Sequence, residues 1–361
     1  MQNLTYDAFG RVATKSDGRG ITATYSYDKL DRATGTTFSD GSATTSYGYD
    51  TAGRNSTRVD PNGTTTYGYD QLGRMISRKN TFGTGDQFTY KYDKAGWLVQ
   101  STSPTGGTIT YAYDNAGKAT SISYPYSGTT KQMIFANDDH GRRTEAWLGA
   151  NSTHSTWVAH YKYTYDKNNQ VTRVIGEQGS GTSSNTDVVD ITYCYKQRYN
   201  STSAPTGITV GGNCLLDDGA TTKAYSRQQW TKNNLTGQLT RYTYTSAGRL
   251  DHVWDVNADG TDNTLTYDYS FDKNGNRSTG DHNGGSTMDL TFNPENQITT
   301  TGYSYDGAGN LTAKPGLTAI SYTGADQLKS VTKGGTAFSY KHAGTDNNEL
   351  LQQNTPTGFY S

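Results

Sequence analysis

Long apolar runs are missing from this chain, as are runs of one charge and any dense set of cysteines. No stretch approaches the ~20 apolar residues that cross a bilayer as a helix, so no membrane-spanning helix is expected. Lys and Arg total 32 against 33 Asp and Glu, interspersed along the chain to a net charge of -1. A polyanion such as nucleic acid would need a basic surface, so no nucleic-acid partner is expected. Helix formers are thin where the sequence is most regular. The opening Met1 to Thr5 has no charged leader before an apolar run, so it does not read as a signal peptide. Both ends are abrupt and read as cut from a longer polypeptide. Only 31% of residues are hydrophobic and mean hydropathy is -0.83, values that usually accompany disorder.

What is present overturns that expectation. The chain has 29 tyrosines, nine phenylalanines, five tryptophans and 42 glycines. The aromatics are periodic. The hexapeptide Tyr-Asp-x-x-Gly-Arg reads YDAFGR at Tyr6, YDKLDR at Tyr27, YDTAGR at Tyr49 and YDQLGR at Tyr69. It continues as YDKAGW at Tyr92, YDNAGK at Tyr113 and YDKNNQ at Tyr165. Looser copies start at Tyr244, Phe271, Phe292, Tyr305 and Tyr322. The first six starts are 21, 22, 20, 23 and 21 residues apart. A fixed period of this size marks one small supersecondary unit stacked on the next.

One copy, Thr64 to Lys79, shows the unit. Tyr67 and Tyr69 share a face of one strand, with small Gly68 between them. Asp70 opens a turn, its carboxylate placed to accept backbone N–H groups two residues on. Gly73 supplies the positive φ that a short hairpin loop with a bulge requires. Arg74 starts the return strand. The same parts recur as Tyr27 and Asp28; Tyr49, Asp50, Gly53 and Arg54; Tyr92 and Asp93; Tyr113 and Asp114. Twenty-one residues thus hold a hairpin, and consecutive hairpins make an antiparallel meander. The fold class is all-β. Register repetition should align the tyrosines in ladders, with Arg11, Arg32, Arg54 and Arg74 placed to stack on rings. Rings and guanidinium planes would then replace an aliphatic core.

The organisation falls into regular repeats over 1–175, an irregular insertion over 176–235 and degenerate, shorter repeats over 236–361, all in one continuous repeat domain. Starts after Phe292 are 13, 17 and 18 residues apart. Tightening toward one end is what a spiral narrowing to a cap would require.

The motif Tyr-x-Tyr-Asp-x-x-Gly-Arg at this period resembles the YD repeat of RHS-repeat proteins. These include polymorphic toxins, C components of insecticidal toxin complexes, wall-associated proteins and teneurins. The resemblance covers Tyr6 to about Tyr340. It implies a hairpin sheet wound into a spiral, forming all or part of a hollow barrel or cocoon. It further implies a secreted or cell-surface protein whose toxin members enclose an unfolded effector, released after self-cleavage. The self-cleaving members carry an Asp-Pro-x-Gly-Leu signature and catalytic aspartates after the repeats. The lone Asp-Pro here, Asp60-Pro61-Asn62-Gly63, leads straight into the next repeat and reads as a turn.

Other candidate sites are sparse. Asp255, Asn257 and Asp259 have the D-x-N-x-D-G spacing of a calcium loop, but Thr266 stands where the bidentate Glu belongs; an Asx-rich turn fits as well. Cys194 and Cys214 enclose about twenty residues and fit a disulfide or two free thiols, at a spacing that matches no zinc site. His154 and His160 lie six apart and read as surface or cross-strand polar residues, as do His140, His252, His282 and His342. No nucleophile, P-loop or metalloprotease motif occurs, so no enzyme and no cofactor are expected. Trp97 stands in place of the repeat arginine, and reads as a packing variant of the ladder. The partners to expect are an enclosed polypeptide or other repeat segments. An adhesion module binding glycans through its tryptophans is the alternative, and self-association of free sheet edges into a filament is a third.

Overall fold

The structure, a computed structural model, describes residues 3–42, 44–82, 86–153, 155–179, 185–195, 227–257, 262–344, 349–355 and 358–360. The described residues are all-β, with thirty strands and no helix, as the Tyr- and Thr-rich alternation requires. The chain divides into two compact units. Unit 1 holds Met1–Tyr92, Gln100–Gly107 and Thr291–Ser361; unit 2 holds Asp93–Val99 and Thr108–Leu290.

Unit 1 opens with a nine-stranded meander: β1 (Asn3–Tyr6), β2 (Val12–Ser16), β3 (Thr22–Tyr27), β4 (Ala33–Phe38), β5 (Thr45–Tyr49), β6 (Asn55–Asp60), β7 (Gly63–Tyr69), β8 (Met75–Asn80) and β9 (Asp86–Tyr92). Each pairs antiparallel with the next. The register slips by one residue just before Tyr6, Tyr27, Tyr49 and Tyr69, so every repeat hairpin closes on a bulge. The C-terminal part of unit 1 holds a two-stranded ribbon, Ser304–Tyr305 with Leu311–Ala313, and a five-stranded sheet running from Leu317–Tyr322 to Gly358–Tyr360.

A meander puts alternate turns at opposite ends of the strands. The Tyr-Asp turns lie at one end of β1–β8, and the link turns after β2, β4 and β6 lie at the other. These link turns meet the C-terminal part of unit 1, nearly 300 residues away in sequence. Gly18 passes Gly307 so closely that a Cβ on Gly18 would lie 1.7 Å from the Gly307 carbonyl oxygen. Only glycine fits on either side of that crossing. Arg19 reaches the Thr323 carbonyl at 3.1 Å and the Asp326 carboxylate at 2.8 Å.

Unit 2 continues the same plan. From Thr108–Tyr113 to Gly285–Asp289, each strand pairs antiparallel with the one before it. Most of the irregular 176–235 segment lies outside the described residues. Its described strands, Thr186–Cys194 and Trp230–Asn233, pair with each other inside the ladder.

Aliphatic packing is thin. Among the described residues, unit 2 has two small clusters, Ile134, Ala150 and Trp157 packed by Trp147, and Trp230, Leu239 and Val256 packed by Trp254. In unit 1 the largest fully buried side chains are Thr45 and Thr65. A wall with so little oil must take its order from hydrogen bonds and stacked planes.

Candidate functional site

The repeat turns supply that order by one recurring geometry. In each turn the aspartate N–H donates to the carbonyl four residues on, as Asp70 does to Arg74 at 3.0 Å. The Asp70 carboxylate accepts from the N–H groups of Leu72 and Arg74, both at 2.9 Å, and from Arg74 Nε at 2.7 Å. The residue before the arginine is left-handed. Glycine takes that place at Gly53 (φ 81) and Gly73 (φ 83), while Asp31 (φ 61) and Asn169 (φ 63) fill it where glycine is missing. Those are the residue types that tolerate this region.

The arginine also reaches forward. Arg11, Arg32, Arg54 and Arg74 lie over the rings of Tyr27, Tyr49, Tyr69 and Tyr92, 4.4 to 4.8 Å from the centroids. Each of those tyrosines donates its hydroxyl proton to the carbonyl of the residue following the same arginine. The acceptors are Val12 (2.9 Å), Ala33 (2.6 Å), Asn55 (2.9 Å) and Met75 (2.9 Å). Arg54 adds a bond from Nη1 to the Asp70 carbonyl at 3.0 Å. Each repeat is therefore pegged to the next through one guanidinium and one phenol.

The four arginines stack on rings as expected, but the tyrosines do not lie directly beside one another. Successive repeat tyrosines are two strands apart, roughly 9.5 Å, too far for direct stacking. The arginine of the intervening return strand fills the gap. Unit 2 repeats the device with Arg142 over Tyr165 and Arg249 over Phe271, at 4.8 and 5.7 Å. Trp97 takes the arginine's role, its ring 5.4 Å from that of Tyr113, whose hydroxyl donates to the Leu98 carbonyl. Asp93 and Asp114 keep the turn, accepting from the backbone N–H groups of Trp97 and Lys118.

Electrostatics follow the hydrogen bonds. Side-chain bonds from Arg11 and Arg32 hold the carboxyls of Asp7 and Asp28 below the usual aspartate range. For Asp50 the Arg54 backbone N–H is the leading cause. Burial pushes Asp70 and Asp138 upward, but the bonds from Arg74 and Arg142 outweigh it and both carboxyls are lowered. Burial raises the Tyr69 phenol.

Two side-chain constellations went unseen in the sequence. In unit 1, Asp60 and Arg58 are buried together, each side chain 3% exposed, with Arg58 Nε 3.6 Å from Asp60 Oδ2. Asp60 accepts the Gly344 N–H at 2.9 Å and the Asn62 N–H at 2.8 Å. Asn62 donates to the His342 carbonyl, and Gln327 donates to the Gly344 carbonyl. The link turn Asp60-Pro61-Asn62-Gly63 is thus the peg that fastens the C-terminal sheet to the meander. Its only advance signal was an Asx turn with a carboxylate to spare. In unit 2, buried His160 shares hydrogen bonds with Glu177 through Nδ1 at 2.9 Å and with Glu145 through Nε2 at 2.8 Å, stacked on Trp147 with ring centroids 4.7 Å apart. Burial pushes the Glu177 carboxyl up, but Lys162 and His160 together hold it low. These groups clamp three neighbouring strands.

The remaining candidates are placed as follows. Asp255 lies in the strand Leu250–Val256, in register with Thr240 and Thr264, and exposed Asn257 follows it. Asp259 and His154 lie outside the described residues. Cys194 closes the strand Thr186–Cys194; Cys214 lies outside the described residues. The five tryptophans are all engaged in the sheet: Trp157 and Trp230 are buried, Trp147 stacks on His160, Trp97 packs on Tyr113, and Trp254 has Arg241 over its ring.

Comparisons with known proteins agree with this geometry. The chain is similar in fold to the crystal structures of TcdB2-TccC3-TEV (TM-score 0.69, 14% identity, covering 98% of this chain and 19% of that one) and TcdB2-TccC3-Cdc42 (0.67, 13%, 99% and 21%). It is similar likewise to the Photorhabdus luminescens Tc holotoxin pore with a mutated TccC3 (0.71, 13%, 98% and 19%). This chain therefore spans about a fifth of the length of the solved chains it matches. No curated protein sequence matches it. Residues 6–43, 49–84 and 92–129 match the RHS Repeat family. That match falls on the turns that build the staircase, so these stretches of the chain carry RHS repeats.

Proposed function

We propose that this chain is a non-enzymatic wall of an exported RHS-type protein, which encloses a polypeptide and keeps it from folding or acting prematurely. The observation that carries this reading is the staircase itself. Arginine and tyrosine of successive repeats lock hairpin to hairpin. They leave a sheet whose order does not depend on a thick apolar core. Such a wall can present polar and aromatic side chains to a client without offering it an oily surface on which to collapse. The fold shared with TccC3-containing toxin complexes supports the same reading. Confinement would be steric: a hydrogen-bonded sheet resists deformation while the client's chain entropy presses on it. Packing contacts of all five tryptophans weaken the adhesion alternative in the form that uses tryptophans as the platform.

The test is a fusion of this chain to a permanently unfolded reporter segment, digested with proteinase K beside the same reporter on an unrelated β-domain. Slowing of reporter cleavage by tenfold or more supports the wall. Equal rates overturn it.

A further inference from the structure

Unit 1 contains a cavity of about 510 Å³, within the size range of small-molecule sites, and both glycines of the Gly18–Gly307 crossing line it. Strand register builds its floor. Ala23 lies opposite Lys15 on one side and Phe38 on the other, and Tyr25, two residues on, lies opposite Thr36. These five residues therefore share one face of the sheet. Ala23 and Thr36 are short and buried, so the longer Lys15, Tyr25 and Phe38 make the walls around them. Phe38 is held from the C-terminal side by Gly324, where a Cβ would lie 2.8 Å from the ring. The polar groups on these walls are unequally committed. Asp17 accepts from the N–H groups of Arg19 and Ile21 and from Arg19 Nε, and Asp326 accepts from Arg19 and Asn310. Lys15, in contrast, makes no ion pair among the described residues. Tyr27 and Tyr49 give their hydroxyl protons to carbonyls, whereas Tyr25 has no hydrogen-bond partner among the described residues. Burial raises the Tyr25 phenol, which keeps its proton in place to donate.

We propose that this cavity binds an aromatic carboxylate, as a free acid or as the last residue of a peptide. The uncommitted groups define the occupant. Its ring would lie against Phe38 and Tyr47, which supply apolar planes. Its carboxylate would take the Lys15 ammonium and the Tyr25 hydroxyl proton, a pair of charge-assisted bonds. Lys15 and Tyr25 are diagonal neighbours on adjacent strands, about 7–8 Å apart at the backbone, so both can reach one carboxylate. A cationic ligand fits poorly, because both acids on the walls are already spent on Arg19. A wholly apolar ligand fits poorly too, since it would strip water from the Lys15 charge and return nothing. This site does not rest on confinement of a client, and its test does not read it.

The experiment titrates the whole chain with phenylacetate, read by ligand-observed NMR and calorimetry. Saturable binding is expected with a dissociation constant on the order of 0.1 mM, as befits so small a ligand. Phenylacetamide, which keeps the ring and loses the charge, should bind about tenfold more weakly. Lys15→Met, which keeps the apolar stem, should weaken phenylacetate about tenfold while leaving phenylacetamide and the thermal midpoint unchanged. Tyr25→Phe should cost about fivefold through the lost hydroxyl bond. Lys79→Met, on the opposite face of the meander, should change nothing and serves as the control. The tripeptide Gly-Gly-Phe with a free carboxylate separates the two sources. Tighter binding of the tripeptide assigns the site to a chain end, and tighter binding of phenylacetate assigns it to a free acid. Failure of both to saturate at about 5 mM, equal binding of phenylacetamide, or binding indifferent to Lys15→Met would each overturn the proposal.

Discussion

Replacing Asp60 with alanine should detach the C-terminal sheet of unit 1 from the meander before it unfolds either. The carboxylate is 3% exposed and serves three partners: the Gly344 N–H at 2.9 Å, the Asn62 N–H at 2.8 Å and the guanidinium of Arg58 at 3.6 Å. Alanine leaves a buried N–H without its acceptor, at about 1–3 kcal/mol. It also removes a counter-charge from a buried arginine, and breaking a buried pair from one side costs about 3–5 kcal/mol. The two effects overlap, so about 3–4 kcal/mol is expected. Asp60→Asn keeps an oxygen for Gly344 and should cost about half as much. Hydrogen exchange gives the more telling readout, because global unfolding of a long repeat protein need not be two-state. The Gly344 amide and the strand Thr336–Ala343 should lose protection first, while β3–β6 keep theirs. A loss under 1 kcal/mol, or protection lost uniformly across unit 1, would refute the idea that this carboxylate is the peg.

The staircase makes further predictions. Tyr69→Phe removes one phenol-to-carbonyl bond and should cost about 1 kcal/mol in urea denaturation, with Tyr27→Phe giving a similar value. Equal stability would show that the hydroxyls are incidental. Gly73→Ala meets no clash, its nearest neighbour being Arg54 Nη1 at an ordinary contact distance of 3.8 Å. Its cost should therefore be the left-handed φ alone, about 1–2 kcal/mol, and Gly73→Asn should recover part of it. Acid should loosen the wall. Asp7, Asp28, Asp50, Asp70 and Asp138 all have lowered carboxyls. Their contribution is fully present above the unfolded aspartate value of about 3.9 and is lost as pH falls through the lower folded values. Thermal midpoints by circular dichroism should be level from pH 7 to about 5 and fall below about 4. A midpoint unchanged at pH 3 would contradict the assignment.

The sequence exposed what repeats, because repetition turns a weak local preference into a pattern. Tyr-x-Tyr, an Asx turn and a residue suited to positive φ, spaced by twenty-one, fix the hairpin, its bulge and its partner in the next repeat. Local chemistry sufficed there, since every contact of Arg54 lies within about twenty residues of it. It placed the four arginines on the rings correctly and misled only in setting successive tyrosines side by side. Counting strands would have shown two tyrosines too far apart to touch and an arginine sitting between them. The contacts that were illegible are those made once. Asp60 and Gly344, or Gly18 and Gly307, are separated by nearly the whole chain and belong to no period. Nothing near Gly307 distinguishes it from a dozen turn glycines; what singles it out is another glycine's carbonyl where its Cβ would stand. The cross-strand role open to His160 is the one it takes, but its two glutamates come from different strands, 15 and 17 residues away, and the sequence does not single them out. A repeat protein thus divides its information unequally. The wall is written many times over and survives the loss of a copy, whereas each fastening is written once. Single substitutions in the turns should therefore produce graded losses, and single substitutions at the fastenings should release whole sheets.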